Sequence, residues 1–247
     1  MPAPDPALLF LNPPLDSLST TFAAVALRRG HALKFPREIT PFAALLEHTP
    51  AALADLHSLL EPSESTFVIS FSPLPDPLPA GLTVTGPYSV AQYEFPPDAP
   101  LPPLTPNLPI EPLTCAHAPQ MVALTDVAFP GFFRSRTCEM GPYFGIRDSA
   151  CGSENNPGNL VAMSGERMNI CTHTADFREI SGVCTHPGHR GRGYAAALLA
   201  RILHNHRAAG FRSYLHTGAD NLTAIALYQR LGFLSRGQFP LYSIRRA

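Results

Sequence analysis

Charge is scarce in this chain. Only 15% of the 247 residues are Asp, Glu, Lys or Arg, and 18 basic against 19 acidic side chains leave a formal net charge of −1. With neither a basic surplus nor an acidic tail, no nucleic-acid partner is expected. Long apolar runs are missing too: no segment approaches the roughly 18 residues of a membrane span, and the short run 7–11 has no Lys or Arg ahead of it. These absences predict a cytoplasmic protein without membrane contact. Cysteine is sparse and odd in number, at Cys115, Cys138, Cys151, Cys171 and Cys184, so reduced, buried thiols are expected rather than a disulfide framework.

What is plentiful is proline. Nearly half of its 28 occurrences fall between Pro73 and Pro112, and the run PPDAPLPPLTPNLPIEP can hold neither helix nor a central strand, because each proline removes a backbone donor and fixes φ. A linker or surface strap is expected at 96–108. Partner binding by this segment is disfavoured, since no basic residue lies near it.

Before the strap, residues 41–60 carry helical spacing, while 65–71 and 81–95 read as strands, giving a small N-terminal α/β unit over 1–95 with no catalytic spacing. After it, 109–247 reads as a mixed, mostly antiparallel sheet flanked by helices, an α+β unit. Strands are expected at 110–114, 142–148, 159–168, 177–187 and 213–219, with strand material again at 233–246. Helices are expected at 118–129, from about 194, where Ala195, Leu198, Leu199, Ile202 and Leu203 share a face, and after Asn221, where Ala224, Leu227, Tyr228 and Leu231 do. A polar loop is placed at 149–159.

The dense chemistry lies in VCTHPGHRGRGYAAALLARIL, a strand, a turn rich in Gly and Arg, and a helix. Gly191, Gly193 and Ala196 also fit a dinucleotide fingerprint. That fold, however, needs several further βα units and an acidic residue about 20 positions on, and neither is available. A P-loop lacks its Gly-Lys-Ser/Thr. Zinc held by Cys171, His173, Cys184 and His186 is disfavoured, because a hairpin turning near Ala175 and Asp176 sets the two pairs about 20 Å apart. What remains is R-x-x-G-x-A at 190–195: backbone N–H groups at a helix start, unobstructed by side chains and flanked by arginines, form a cradle for pyrophosphate.

With GVCT at 182–185 and DNLTAIALYQRLGF at 220–233 in the same order, segment 179–237 resembles the GNAT superfamily of N-acetyltransferases, and more loosely so back to 109. The resemblance implies acetyl-CoA as co-substrate and no metal. It implies donor contacts from Val183, Cys184, Thr185, Arg190, Gly191, Arg192, Gly193, Tyr194, Ala195, Ala196 and Asn221, largely through backbone. It implies transfer of acetyl to a primary amine of a small molecule or peptide by direct attack. Tyr228 takes the place of the superfamily's general acid and Glu179 that of a base used by some relatives. A backbone N–H near Val183 would polarise the thioester carbonyl, and Cys184 is expected as a small core residue, not a nucleophile. Phe132, Phe133 and Arg134, with Arg136 nearby, are candidates for an acceptor pocket selecting apolar or anionic groups. The rival from another class is a non-catalytic acyl-CoA-binding or protein-interaction module that keeps the loop but has an occluded acceptor site. Oligomeric state is not indicated.

Overall fold

The computed structural model describes residues 5–148 and 158–247; most of the polar loop expected at 149–159 lies outside them. In chain order the elements are α1 (Pro13–Ser19), β1 (Leu27–Arg29), β2 (Ala32–Lys34), β3 (Ala43–Leu45), α2 (Pro50–Leu59), β4 (Ser65–Ile69), β5 (Leu82–Phe95), β6 (Glu111–Leu113), α3 (Ala118–Ala128), β7 (Tyr143–Asp148), β8 (Asn159–Glu166), β9 (Ile170–Cys171), β10 (Asp176–Thr185), α4 (Tyr194–Ala208), β11 (Arg212–Gly218), α5 (Leu222–Arg230) and β12 (Leu234–Arg246). Among the described residues no helix is long and apolar enough to cross a membrane.

The main sheet runs β4-β12-β5-β11-β10-β8-β7-β6, with β9 added beside β10. Within it β10 and β11 pair in parallel and the other pairs are antiparallel. Helix α3 packs Met121 and Leu124 on one face, over Leu160 and Met163 of β8. On the other face, α4 sets Leu198 against Val161 and Ala162, and α4 and α5 share a core with β5 through Leu199, Leu203 and Tyr228. Alternation sets Ala162 and Met163 on opposite layers, and an irregularity in β8, where Ala162 pairs with Ile146 but Leu160 with Arg147, leaves Val161 on the same layer as Ala162.

The sheet crosses the boundary expected between two units. β5 lies between β11 and β12, with Ser213 opposite Phe95 and Gly218 opposite Val90. Its run Ala91–Gln92–Tyr93–Glu94–Phe95 is buried at every position, as a central strand covered on both faces requires. Glu94 is fully buried there and held by Arg212 and Arg236. Among the described residues only β1, β2 and β3 form a separate sheet, tied on by a Phe42–Phe67 bridge.

Residues 41–60 are not one helix. Phe42 to Leu45 are buried as bridge and strand, and α2 begins at Pro50, where Thr49 Oγ1 accepts the Ala52 N–H at 3.2 Å and proline occupies the first turn. The proline segment is a strap, not a free linker: Arg207 Nη1 donates to the Ala99 carbonyl at 2.8 Å, and His204 Nε2 lies 3.0 Å from the Pro102 carbonyl oxygen.

The cysteine expectation also needs correcting. Cys115 and Cys138, 5.4 Å apart at Cα, are joined in a disulfide that ties the start of α3 to the turn at 137–140, and Cys171 is exposed. Sequence spacing carries no signal for this pair, which meets only because α3 folds back over the sheet.

Candidate functional site

The parallel pairing of β10 and β11 ends at Ile180–Leu215, although β10 continues to Thr185 and β11 to Gly218. Each strand goes on pairing with its outer neighbour, β8 and β5, so the two splay apart and open a wedge in the sheet. A bulge sets β10's course. Ser181 pairs with Gly165 and Cys184 with Met163, leaving Gly182 and Val183 both opposite Ser164. Gly182 takes φ +64°, and an added Cβ there would stand 3.1 Å from the Tyr143 ring, so glycine is what lets the strand turn.

The wedge opens onto the loop before α4. Gly191 (φ +78°) and Gly193 (φ +77°) are left-handed, and a Cβ on either would meet no atom within 4 Å. Gly193 is the N-cap of α4, and no side chain caps that helix, so the amide hydrogens of the first turn face the cleft with the positive end of the helix dipole behind them. Arg190 and Arg192 flank the glycines. The loop's chemistry therefore fits the pyrophosphate of a coenzyme A donor: backbone donors, two cations and no Cβ in the way.

All eleven residues expected to contact the donor, Val183–Thr185, Arg190–Ala196 and Asn221, line one cleft of about 1730 Å³, together with Tyr228. Asn221 also caps α5, its Oδ1 accepting the Ala224 N–H at 3.2 Å, and it still lines the cleft. Tyr228 packs its ring against Tyr93 and Phe233 while reaching the cleft, and burial pushes its phenol well above the ordinary range. It is protonated at neutral pH, and the same burial makes it a weaker acid than an exposed tyrosine. Cys184 is buried, and desolvation raises its thiol to about 12, which removes it as a nucleophile. Among the described residues no group of three or more His, Cys, Asp or Glu is placed to hold a metal.

Glu179 is not part of the cleft lining, and its environment opposes a role as base. Its Oε1 takes Arg167 Nη2 at 3.1 Å and His216 Nδ1 at 2.8 Å; its Oε2 takes Arg167 Nε at 3.1 Å and the Met168 N–H at 2.9 Å. Burial alone would raise the carboxyl, but the Arg167 charge and the His216 and Arg167 hydrogen bonds bring it down to about 2. A carboxylate so fully satisfied accepts a proton poorly. The side chains that do reach the cleft from this cluster are Arg167 and His216. The His216 tautomer follows from its neighbours. Gln92 Oε1 accepts the Leu9 N–H at 2.6 Å, so the amide nitrogen of Gln92 points at His216 Nε2, 3.1 Å away. Nε2 is then the acceptor, and Nδ1–H donates to Glu179.

Residues 130–233 match the profile of the acetyltransferase (GNAT) family. A crystal structure assigned to that family, from Novosphingobium aromaticivorans, is 31% identical to this chain, with 96% of this chain and 98% of that one covered at a TM-score of 0.80. The chain belongs to the GNAT family. Two more distant structures show the same fold: a GCN5-related N-acetyltransferase-like protein from Streptococcus suis (13% identity, 94% and 93% covered, TM-score 0.56) and a GCN5-related N-acetyltransferase from Kribbella flavida (16%, 94% and 95%, 0.54). An uncharacterized protein of Mycobacterium leprae is 39% identical over 71 residues, 28% of this chain and 19% of that curated relative. Membership places the chain among acyl-CoA-dependent N-acyltransferases.

At the other end of this GNAT cleft the residues are mostly ones that sequence reasoning did not single out. Of the expected acceptor residues, Phe132 lines the cleft. Phe133 is buried edge-on against Tyr143, 5.4 Å between centroids, and borders only a cavity of about 10 Å³. Arg134 is not in the lining, where its backbone N–H instead donates to Thr137 Oγ1 at 2.7 Å, and Arg136 is an exposed partner of Glu139. The missing wall comes from Phe42, Phe67, Ile69, Phe239 and Leu241. They sit far apart in sequence and meet only once β4 and β12 have paired.

Proposed function

We propose that this protein transfers the acetyl group of acetyl-CoA to a primary amine by direct attack. The observation that carries the reading is the continuity of one cleft, from the glycine cradle at α4, through the wedge between β10 and β11, past Tyr228, to a far end where half-buried Phe67 and Phe132 meet it. The rival reading, a binding module with an occluded acceptor site, needs that far end closed.

Acetyl-CoA supplies an acyl group activated as a thioester. The protein's residues do the rest. Gly191, Gly193 and the first turn of α4 hold the pyrophosphate, with Arg190 and Arg192 offsetting its charge. Val183, on the strand edge that the bulge turns toward the wedge, offers its N–H to the thioester carbonyl, whose oxygen gains negative charge as the amine attacks. The acceptor must arrive with a free lone pair, and an apolar wall that strips water from an ammonium lowers its pKa, which makes a strong protein base unnecessary. A C–N bond forms and the C–S bond breaks. The departing thiolate takes the Tyr228 proton, the nitrogen releases one to water, and Tyr228 is reprotonated, so charge and protons balance.

The test is thiol release from acetyl-CoA by purified protein over a panel of amines, with coenzyme A binding followed by calorimetry. Turnover that requires an amine supports the reading; coenzyme A binding without turnover of any amine or peptide N-terminus supports the binding module instead.

A further inference from the structure

The far end of the cleft is an aromatic box drawn from three separate parts of the chain. Phe42 precedes β3, Phe67 lies on β4 and Phe132 follows α3; their centroids are 5.8 Å (Phe42–Phe67), 6.1 Å (Phe42–Phe132) and 4.9 Å (Phe67–Phe132) apart. Ile69, Phe239 and Leu241 extend the apolar surface. The charge at this wall belongs to Arg167, whose guanidinium lies 4.7 Å from the centre of the Phe42 ring and is bound bidentately by Glu179. Among the described residues lining the whole cleft, Asp220 is the sole carboxylate, and it sits beside Asn221 at the donor end.

We infer that this box selects an acceptor whose amine is carried on an uncharged aromatic or branched aliphatic body, and that it excludes polycations. The inference rests on the acyltransferase reading above and narrows it. A second ammonium entering the box would lose its water with no carboxylate in the lining to pair with, and the Phe42 ring it could use for a cation–π contact is already taken by Arg167; an aromatic body would exchange water for ring faces and edges. Three of the named wall residues, Phe42, Phe67 and Ile69, come from the first 95 positions, so the N-terminal part of the chain is a selectivity element of the site rather than an accessory to it. The same apolar chemistry would suit a long acyl chain on the donor, and the experiment separates the two.

With saturating acetyl-CoA, kcat/KM is measured for 2-phenylethylamine, isobutylamine and spermidine, and the binding of each amine to the coenzyme A complex is measured by calorimetry. Acetyl-CoA and octanoyl-CoA affinities are compared alongside. The expected result is a preference of at least about 100-fold for 2-phenylethylamine over spermidine in both readouts. Phe132→Ala, at a half-buried position, should weaken 2-phenylethylamine by at least about tenfold with coenzyme A affinity unchanged, and Phe132→Leu should restore most of it. Spermidine acetylated as well as 2-phenylethylamine, or no calorimetric binding of either apolar amine, would overturn the acceptor class while leaving the acyltransferase reading intact. Octanoyl-CoA bound at least about tenfold tighter than acetyl-CoA, with Phe132→Ala abolishing that gain and sparing the amines, would assign the box to the acyl chain and overturn the inference. Failure of the wild-type protein to bind coenzyme A at all would instead overturn the underlying reading.

Discussion

Arg167 and Glu179 form a two-point pair inside the protein, Nε to Oε2 and Nη2 to Oε1, both at 3.1 Å, with the carboxylate only 1% exposed. The pair fixes the floor beneath the wedge: Glu179 holds Arg167 on one side and the His216 ring on the other, and both of these reach the cleft.

Because Glu179 is held at about 2 against an ordinary 4.5, its contribution to stability is full above about pH 4.5 and is lost as pH falls from there toward 2. It is worth on the order of 3 kcal/mol. Glu179→Gln leaves the buried Arg167 charge unpaired, so its melting temperature should drop sharply at pH 7 and the gap to wild type should narrow below about pH 4.5. Rate–pH profiles supply the second readout: wild-type turnover should show no acidic limb belonging to Glu179 near neutrality. A limb in that range that vanishes in Glu179→Gln would restore Glu179 as a base.

At the cradle, Gly193→Val puts a branched side chain at φ +77° in the space where the phosphates would lie. Coenzyme A affinity by calorimetry should fall by at least about tenfold, while circular dichroism retains the native signal, because the new side chain strikes no protein atom and the left-handed backbone costs only about 1–2 kcal/mol, read as a lower melting temperature. Unchanged affinity would place the donor elsewhere.

The helices and strands around the donor loop are legible in sequence because their signals are local. Glycines punctuate the loop, α4 and α5 carry 3.6-residue periodicity, and Asn221 is a cap by type. What is not legible is long-range. Nothing within residues 82–95 says that they slot between 212–218 and 234–246, and three-residue strands such as β1 to β3 are too short for a period to show. The helical spacing of 41–60 hid a strand ahead of α2, although Thr49 and Pro50 mark the true start. The acceptor wall fails for the same reason as β5: Phe42, Phe67 and Phe239 become neighbours only through strand pairing.

For the disulfide, the separation of 23 positions between Cys115 and Cys138 predicts about 3 kcal/mol from the constraint on the unfolded chain. The double variant Cys115→Ser/Cys138→Ser should lose that amount in urea titration, and wild type in excess dithiothreitol should lose the same. Equal stability of wild type with and without reductant would show that the bond contributes nothing.

For the proline strap, Arg207→Ala removes the donor to the Ala99 and Pro96 carbonyls. Thermolysin should then cut within 96–108 faster than in wild type. Equal cleavage rates would mean that the strap is held without Arg207, by the His204 contact to the Pro102 carbonyl and by its apolar contacts.

The most direct measurement is the single-turnover rate of acetyl transfer in Tyr228→Phe. The variant removes one hydroxyl and keeps the ring that packs on Tyr93 and Phe233. If Tyr228 protonates the departing thiolate, the rate should fall by about 10²- to 10⁴-fold, or roughly 3 to 5 kcal/mol of barrier, with coenzyme A affinity and melting temperature nearly unchanged. A variant that keeps most of its single-turnover rate on an accepted amine, or that loses stability instead, would contradict the assignment of Tyr228 as the acid.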